Sequence, residues 1–188
     1  MKKFTFCQRI RLSALMLVFS AGWLNAAEQP VKVEPVQQIM QSYYAVGRLL
    51  AKDSINGIAE QMQKIVTAAS VALKAERTNG KDEKAHSAKI KSIQAAAKGF
   101  VSRDIKTSRE SFKALSHAVS SYVKACGYSS PAYSFYCPMA GQTWLQSVEQ
   151  VANPFFGLEM LKCGKMTGRV KEGKYVEKSN EATAEHGH

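Results

Sequence analysis

Between residues 36 and 122 the apolar positions step forward by threes and fours, a period that commits most of the chain to amphipathic helices. Val36, Ile39, Met40, Tyr43, Val46 and Leu50 form a first stripe. Asp53-Ser54 supplies capping residues, and Ile55, Ile58, Met62, Ile65, Val66, Ala69 and Leu73 then form a second. The run Arg77-Thr-Asn-Gly-Lys-Asp-Glu83 holds a turn dipeptide, dense charge and no apolar residue, so it connects elements at the surface. Ile90, Ile93, Ala97, Phe100 and Val101 mark a third helix; Ile105, Phe112, Leu115, Val119 and Tyr122 mark a fourth, ending at Gly127. No alternating pattern reads as a strand. The prediction is an all-α fold, an up-and-down four-helix bundle.

From Tyr128 the composition changes. Tyr133, Phe135, Tyr136, Trp144, Phe155 and Phe156 present too much aromatic area to leave in water, so this C-terminal aromatic, Cys- and Met-bearing segment packs against the bundle. The bundle domain with its sulfur-rich segment spans residues 36–170, preceded by a linker at 28–35. Residues 171–188 are charged and rich in small side chains, the composition of a disordered tail.

Residues 1–27 read as a cleavable signal peptide. Lys2, Lys3, Arg9 and Arg11 precede an apolar stretch from Leu12 to Leu24, small residues Ala26 and Ala27 follow, and no acidic residue occurs before Glu28. The apolar stretch is shorter than the about 20 residues of a spanning helix. The expected location is periplasmic or extracellular, with membrane contact only during export. Loss of four basic residues lowers the net charge of +11 to about +7. The lysines are spread along helix faces, which with export argues against a nucleic-acid partner. No nucleophile elbow, phosphate loop or paired carboxylates occur, so no enzymatic activity is expected.

Cys126, Cys137 and Cys163 remain after processing. The dense feature is Tyr136-Cys137-Pro138-Met139-Ala140 followed by Asn153-Pro-Phe-Phe-Gly-Leu-Glu-Met160-Leu-Lys-Cys163-Gly164, in which Cys and Met recur in mirrored order. Pro138 stiffens the first half, and the second reads as a short helix capped by Asn153 and ended by Gly164. Thiolates and thioethers are soft donors that select Cu(I) or Ag(I), so Cys137, Met139, Met160 and Cys163 are candidate metal ligands, with His117 and Met166 as further ones. In an oxidising compartment Cys137 and Cys163 are alternatively read as a disulfide stapling the segment, worth about 3 kcal/mol in the chain-entropy model. The residues leave both readings open.

The run Cys137-Pro-Met-Ala, Trp144-Leu, Asn153-Pro-Phe-Phe-Gly and Met160-Leu-Lys-Cys-Gly164, with a weaker Arg109-x-x-Phe112-x-x-Leu115-Ser116, resembles the family called domain of unknown function 3347. That family occurs as free-standing exported proteins and attached to periplasmic adaptor subunits of copper/silver efflux pumps. The resemblance implies metal handling through Cys137, Met139, Met160 and Cys163, and an efflux adaptor or metallochaperone as partner. The alternative is a non-catalytic helical interaction module with a structural Cys137–Cys163 disulfide.

Overall fold

A computed structural model describes residues 34–76 and 83–178 of the 188. The signal-peptide reading at 1–27, most of the linker, the charged connection at 77–82 and the chain beyond 178 lie outside the described residues.

The four helices form where the apolar period places them: α1 Pro35–Ala51, α2 Ile58–Glu76, α3 Glu83–Lys98 and α4 Ile105–Cys126. Pro35 occupies the first turn of α1, where a missing N–H costs nothing. At α4, Asp104 accepts the Thr107 N–H at 2.8 Å while the Thr107 hydroxyl accepts the Asp104 N–H at 3.3 Å, a reciprocal cap. Each helix packs on the next, and α4 returns to α1. The shared interior is filled by fully buried side chains such as Ile39, Leu50, Ile65, Ile93 and Leu115, each contributing about 1.5–3 kcal/mol. Tyr43 of α1 stacks on Phe112 of α4 with ring centroids 5.2 Å apart.

The all-α expectation is overturned by the chain beyond α4. Strands β1 Tyr133–Cys137, β2 Gln142–Gln146, β3 Lys165–Lys171 and β4 Lys174–Glu177 form one antiparallel sheet in the order β2-β1-β3-β4, so the fold is mixed α/β. Phe135 pairs with Trp144 across β1–β2 and with Met166 across β1–β3. α4 packs on β2 and β4. The aromatic segment does pack against the helices, but as a sheet whose backbone groups pair with each other.

The described chain also runs past the expected domain end at 170. Glu172 and Gly173 both have positive φ, 51° and 80°, and form a two-residue turn that folds β4 back on β3. The beginning of the region read as a disordered tail is therefore a strand. This turn is tied to the end of α4: the Tyr128 N–H donates to the Gly173 carbonyl at 3.0 Å, and a Cβ on Gly127 would sit 2.1 Å from that oxygen. Gly127 is required both by its φ of 75° and by this approach.

Helix layer and sheet are joined through a buried polar relay. The Tyr43 hydroxyl lies 2.7 Å from the Ser116 hydroxyl and accepts the Leu145 N–H at 3.0 Å, while Ser116 donates to the Thr143 carbonyl at 2.9 Å. Two helices thus hold the backbone of β2, and the register of β1 and its terminal Cys137 follows.

Candidate functional site

Strand β1 ends at Cys137, whose side chain is fully buried. Pro138 to Gly141 form the turn into β2, closed by the Gly141 N–H on the Pro138 carbonyl at 3.3 Å and allowed by a φ of 61° at Gly141. The chain then leaves the sheet at Gln146 and returns across it before entering β3. In that return the expected short helix is reduced to a single 3-10 turn, Gly157–Met160. Asn153 does act as a cap, its Oδ1 accepting the Phe155 and Phe156 N–H groups at 2.8 and 3.3 Å.

This return segment is clamped at two points. Arg109 of α4 donates to the Pro154 carbonyl at 3.2 Å and pairs with Asp53 from the α1–α2 turn, and the other Asp53 carboxylate oxygen accepts the Leu158 N–H at 3.2 Å. Gly157, with φ 60°, sits against this pair, and a Cβ there would meet Asp53 Oδ1 at 1.9 Å. Asn153 is completely buried and closes the other end, its Nδ2 donating to the Cys163 carbonyl at 2.7 Å and its backbone N–H to the Leu161 carbonyl at 2.8 Å.

The two clamps deliver Cys163 onto Cys137. Their sulfur atoms are 3.1 Å apart, with Cys137 buried and Cys163 half-buried, and both are free thiols. Burial alone raises the Cys137 thiol. Hydrogen bonding from Cys163, the Ala140 N–H, the Asn153 side chain and the Met139 N–H outweighs that and brings it below the ordinary thiol range. Cys163 moves the opposite way, raised by its hydrogen bond to Cys137, by burial and by the Cys137 charge, with the Met139 N–H opposing. Of the two sulfurs Cys137, the one facing the turn donors, is the more readily ionised.

The remaining candidates are dispersed. Met139 at the turn is 66% exposed. Met160 is half-buried at the end of the 3-10 turn. Met166 of β3 is opposite Phe135, packs against the core, and by strand alternation shares a sheet face with Cys137. His117 is exposed on α4 and lines a cleft to which neither cysteine contributes. Among the described residues no cluster of three or more His, Cys, Asp or Glu side chains is arranged to hold a metal ion. Any metal bound here rests on the two thiolates with thioether support. Cys126 is exposed at the end of α4.

Asn153 carries more of the site than its capping pattern discloses. Its position before Pro154 signals a cap; its bonds to the Cys163 carbonyl and the Cys137 sulfur depend on a chain crossing that local spacing does not encode. No helix among the described residues is long and apolar enough to cross a membrane. No protein-family model, curated protein or solved structure matches this chain.

Proposed function

We propose that Cys137 and Cys163 form a two-thiolate site for a soft monovalent metal, Cu(I) or Ag(I), in an exported protein of metal handling or resistance. The observation that carries this reading is the thiolate cradle at Cys137: two turn N–H groups and the Asn153 amide face a sulfur that also touches a second thiol. A metal requires its cysteine ligands deprotonated, and donors aimed at sulfur lower the cost of that state. A disulfide carries no charge for such donors to stabilise. Soft monovalent ions accept two ligands, so the pair suffices, with Met166, on the sheet face of Cys137, as the supporting thioether we favour and Met160 as a further candidate. The half-buried Cys163 is the side from which an ion or a delivering partner gains access. An efflux adaptor or metallochaperone of that compartment is the partner class.

The second reading, an interaction module with a Cys137–Cys163 disulfide, is favoured by the 3.1 Å sulfur separation. Metal–sulfur bonds of about 2.3 Å each, in a linear arrangement, hold their sulfurs farther apart than this, so metal entry widens the pair whereas oxidation closes it.

A competition titration of fully reduced protein with Cu(I) and a chromogenic chelator separates the two. Metal handling predicts one tightly bound equivalent, lost in both Cys137→Ser and Cys163→Ser, and all-sulfur coordination by X-ray absorption. No uptake by the reduced protein, with a Cys137–Cys163 disulfide in protein isolated without reductant, leaves only the interaction module.

A further inference from the structure

Between α4 and β2 lies a cleft of about 470 Å³ that is separate from the thiol pair. One wall is a single helical face, His117, Ser120, Ser121 and Lys124, and the other carries Gln142 and Thr143. Ser120 is only 8% exposed, yet its hydroxyl has no hydrogen-bond partner among the described residues. Buried hydroxyls are almost always paired, and a helical serine ordinarily turns back onto the carbonyl four residues before it. Ser70, Ser92 and Ser108 of this chain do so, at 2.9, 3.0 and 2.7 Å.

The charge at this cleft is positive. Lys124 stands at its edge, and Lys89 reaches over from α3 to donate to Ser121 at 2.6 Å. Lys124 pairs with Glu177 of β4 at 3.1 Å, and both side chains are about half exposed. Such a surface pair is weak and readily exchanged for a stronger anion. The available donors are ammonium groups, hydroxyls and the Gln142 amide arriving from two walls. Such donors suit a compact charge; among the described residues lining the cleft there is no arginine fork to match a planar carboxylate.

We propose that this cleft binds a small tetrahedral oxyanion, free phosphate or the phosphoryl group of a larger molecule, through Lys124 and the hydroxyls of Ser120 and Ser121. On binding, Ser120 gains the partner it lacks within the described chain. Lys124 exchanges Glu177 for the ligand, and the helix and hairpin are bridged where they diverge. This site is independent of the metal reading, since neither cysteine lines it.

The test is amide NMR of the reduced, metal-free mature protein titrated with inorganic phosphate, and in parallel with phenyl phosphate, at constant ionic strength. Saturable shifts are expected at Ser120, Ser121 and Gln142. Ser120→Ala, which removes a hydroxyl without an internal bond, should fold normally and weaken binding severalfold, and Lys124→Gln should weaken it about tenfold. Glu177→Gln should tighten it by releasing Lys124. Equal binding of both ligands assigns the site to free phosphate; tighter phenyl phosphate assigns it to a phosphoryl-bearing molecule. Shifts that rise linearly without saturation, or that are unchanged in Ser120→Ala and Lys124→Gln, overturn the site.

Discussion

Gly164 lies directly against the edge of Trp144: a Cβ on Gly164 would fall 2.5 Å from Trp144 Cη2 and 3.1 Å from Val151 Cγ2. The indole cannot yield, because it is fully buried, stacked on Phe135 at 5.5 Å and edge-on to Phe155 at 6.0 Å. Gly164 is therefore what lets the chain carrying Cys163 descend onto the sheet. Gly164→Ala should cost about 1–3 kcal/mol by overpacking, and should slow Cys137–Cys163 disulfide formation under a mild oxidant. Gly141→Ala is the control, since its φ of 61° strains an alanine but no atom lies within 4 Å of the new Cβ. It should cost about 1 kcal/mol. Equal losses for the two variants in urea denaturation would remove Trp144 from the explanation.

Asp53 and Arg109 bind three parts of the chain with one ion pair: the α1–α2 turn, α4 and the segment leading to Cys163. Asp53 itself has a φ of 55°, a conformation that asparagine tolerates better than alanine. Asp53→Asn should therefore cost about 1–2 kcal/mol for the weakened bonds to Arg109 and Leu158, and Asp53→Ala more. Hydrogen exchange at Leu158 should quicken in both. A protected Leu158 amide in Asp53→Ala would mean the segment is held from elsewhere.

The helices were legible because their stripes are one-sided: Ile39, Tyr43, Val46 and Leu50 are buried, and exposed or half-buried positions such as Gln41, Ala45 and Arg48 fall between them. The sheet was not, because its strands are four to seven residues long and the burial pattern of β1 and β2 does not alternate. Ser134 and Phe135 are adjacent and both buried, as are Trp144 and Leu145, so the two-residue period is erased. In β3 the inner position is Gly168, which carries no apolar signal; Tyr175 of β4 fills the space above it, its hydroxyl 2.4 Å from where a Cβ would stand. One signal was available. Glu172-Gly173 between Val170 and Tyr175-Val176 is a two-residue hairpin turn, weaker than Asn-Gly but of the same kind. The pairing of Cys137 with Cys163 was visible as one option of composition; of the two clamps that produce it, the Arg109–Asp53 one joins residues 45 and 105 positions apart, beyond the reach of any local pattern.

Asn153 should tune the thiol pair as well as hold it. Asn153→Asp preserves shape, removes the donor to the Cys163 carbonyl, and places a carboxylate beside the Cys137 sulfur. The Cys137 thiolate loses a donor and gains a like charge, so its ionisation should move to higher pH. Thiolate absorbance at about 240 nm across a pH titration reads this directly. An unmoved titration would show that the turn N–H groups alone stabilise the thiolate.

The methionines should prove unequal if metal is bound. Met139 is solvent-facing, whereas Met166 shares the sheet face of Cys137 and is packed against the core. Met139→Leu should leave Cu(I) affinity within a factor of about three, and Met166→Leu should lower it by about tenfold, the scale of a supporting ligand. Chelator competition on the two variants gives the comparison. A larger loss at Met139 would place the metal at the turn tip instead of over the sheet.

Tyr43 sets an alkaline limit on the fold. Burial raises its phenol to about 12, although hydrogen bonds with Ser116 and the Leu145 N–H pull it partly back. Tyr44 is raised too, by burial and then by the neighbouring Tyr128 and Tyr43. In the unfolded chain both ionise near about 10. The native state then holds protons that the unfolded state has released, so stability is complete below about pH 10 and falls as pH rises from there toward about 12, by up to about 1.4 kcal/mol per pH unit for each tyrosine. Tyr43→Phe should cost about 1–3 kcal/mol at neutral pH by leaving the buried Leu145 N–H unpaired, while making the alkaline decline shallower by about one proton. Urea midpoints between about pH 8 and 11, read with tyrosinate absorbance at about 295 nm, test both. An identical slope in the variant would mean that Tyr43 ionises with the exposed tyrosines, and that the relay to β2 opens before the helices do.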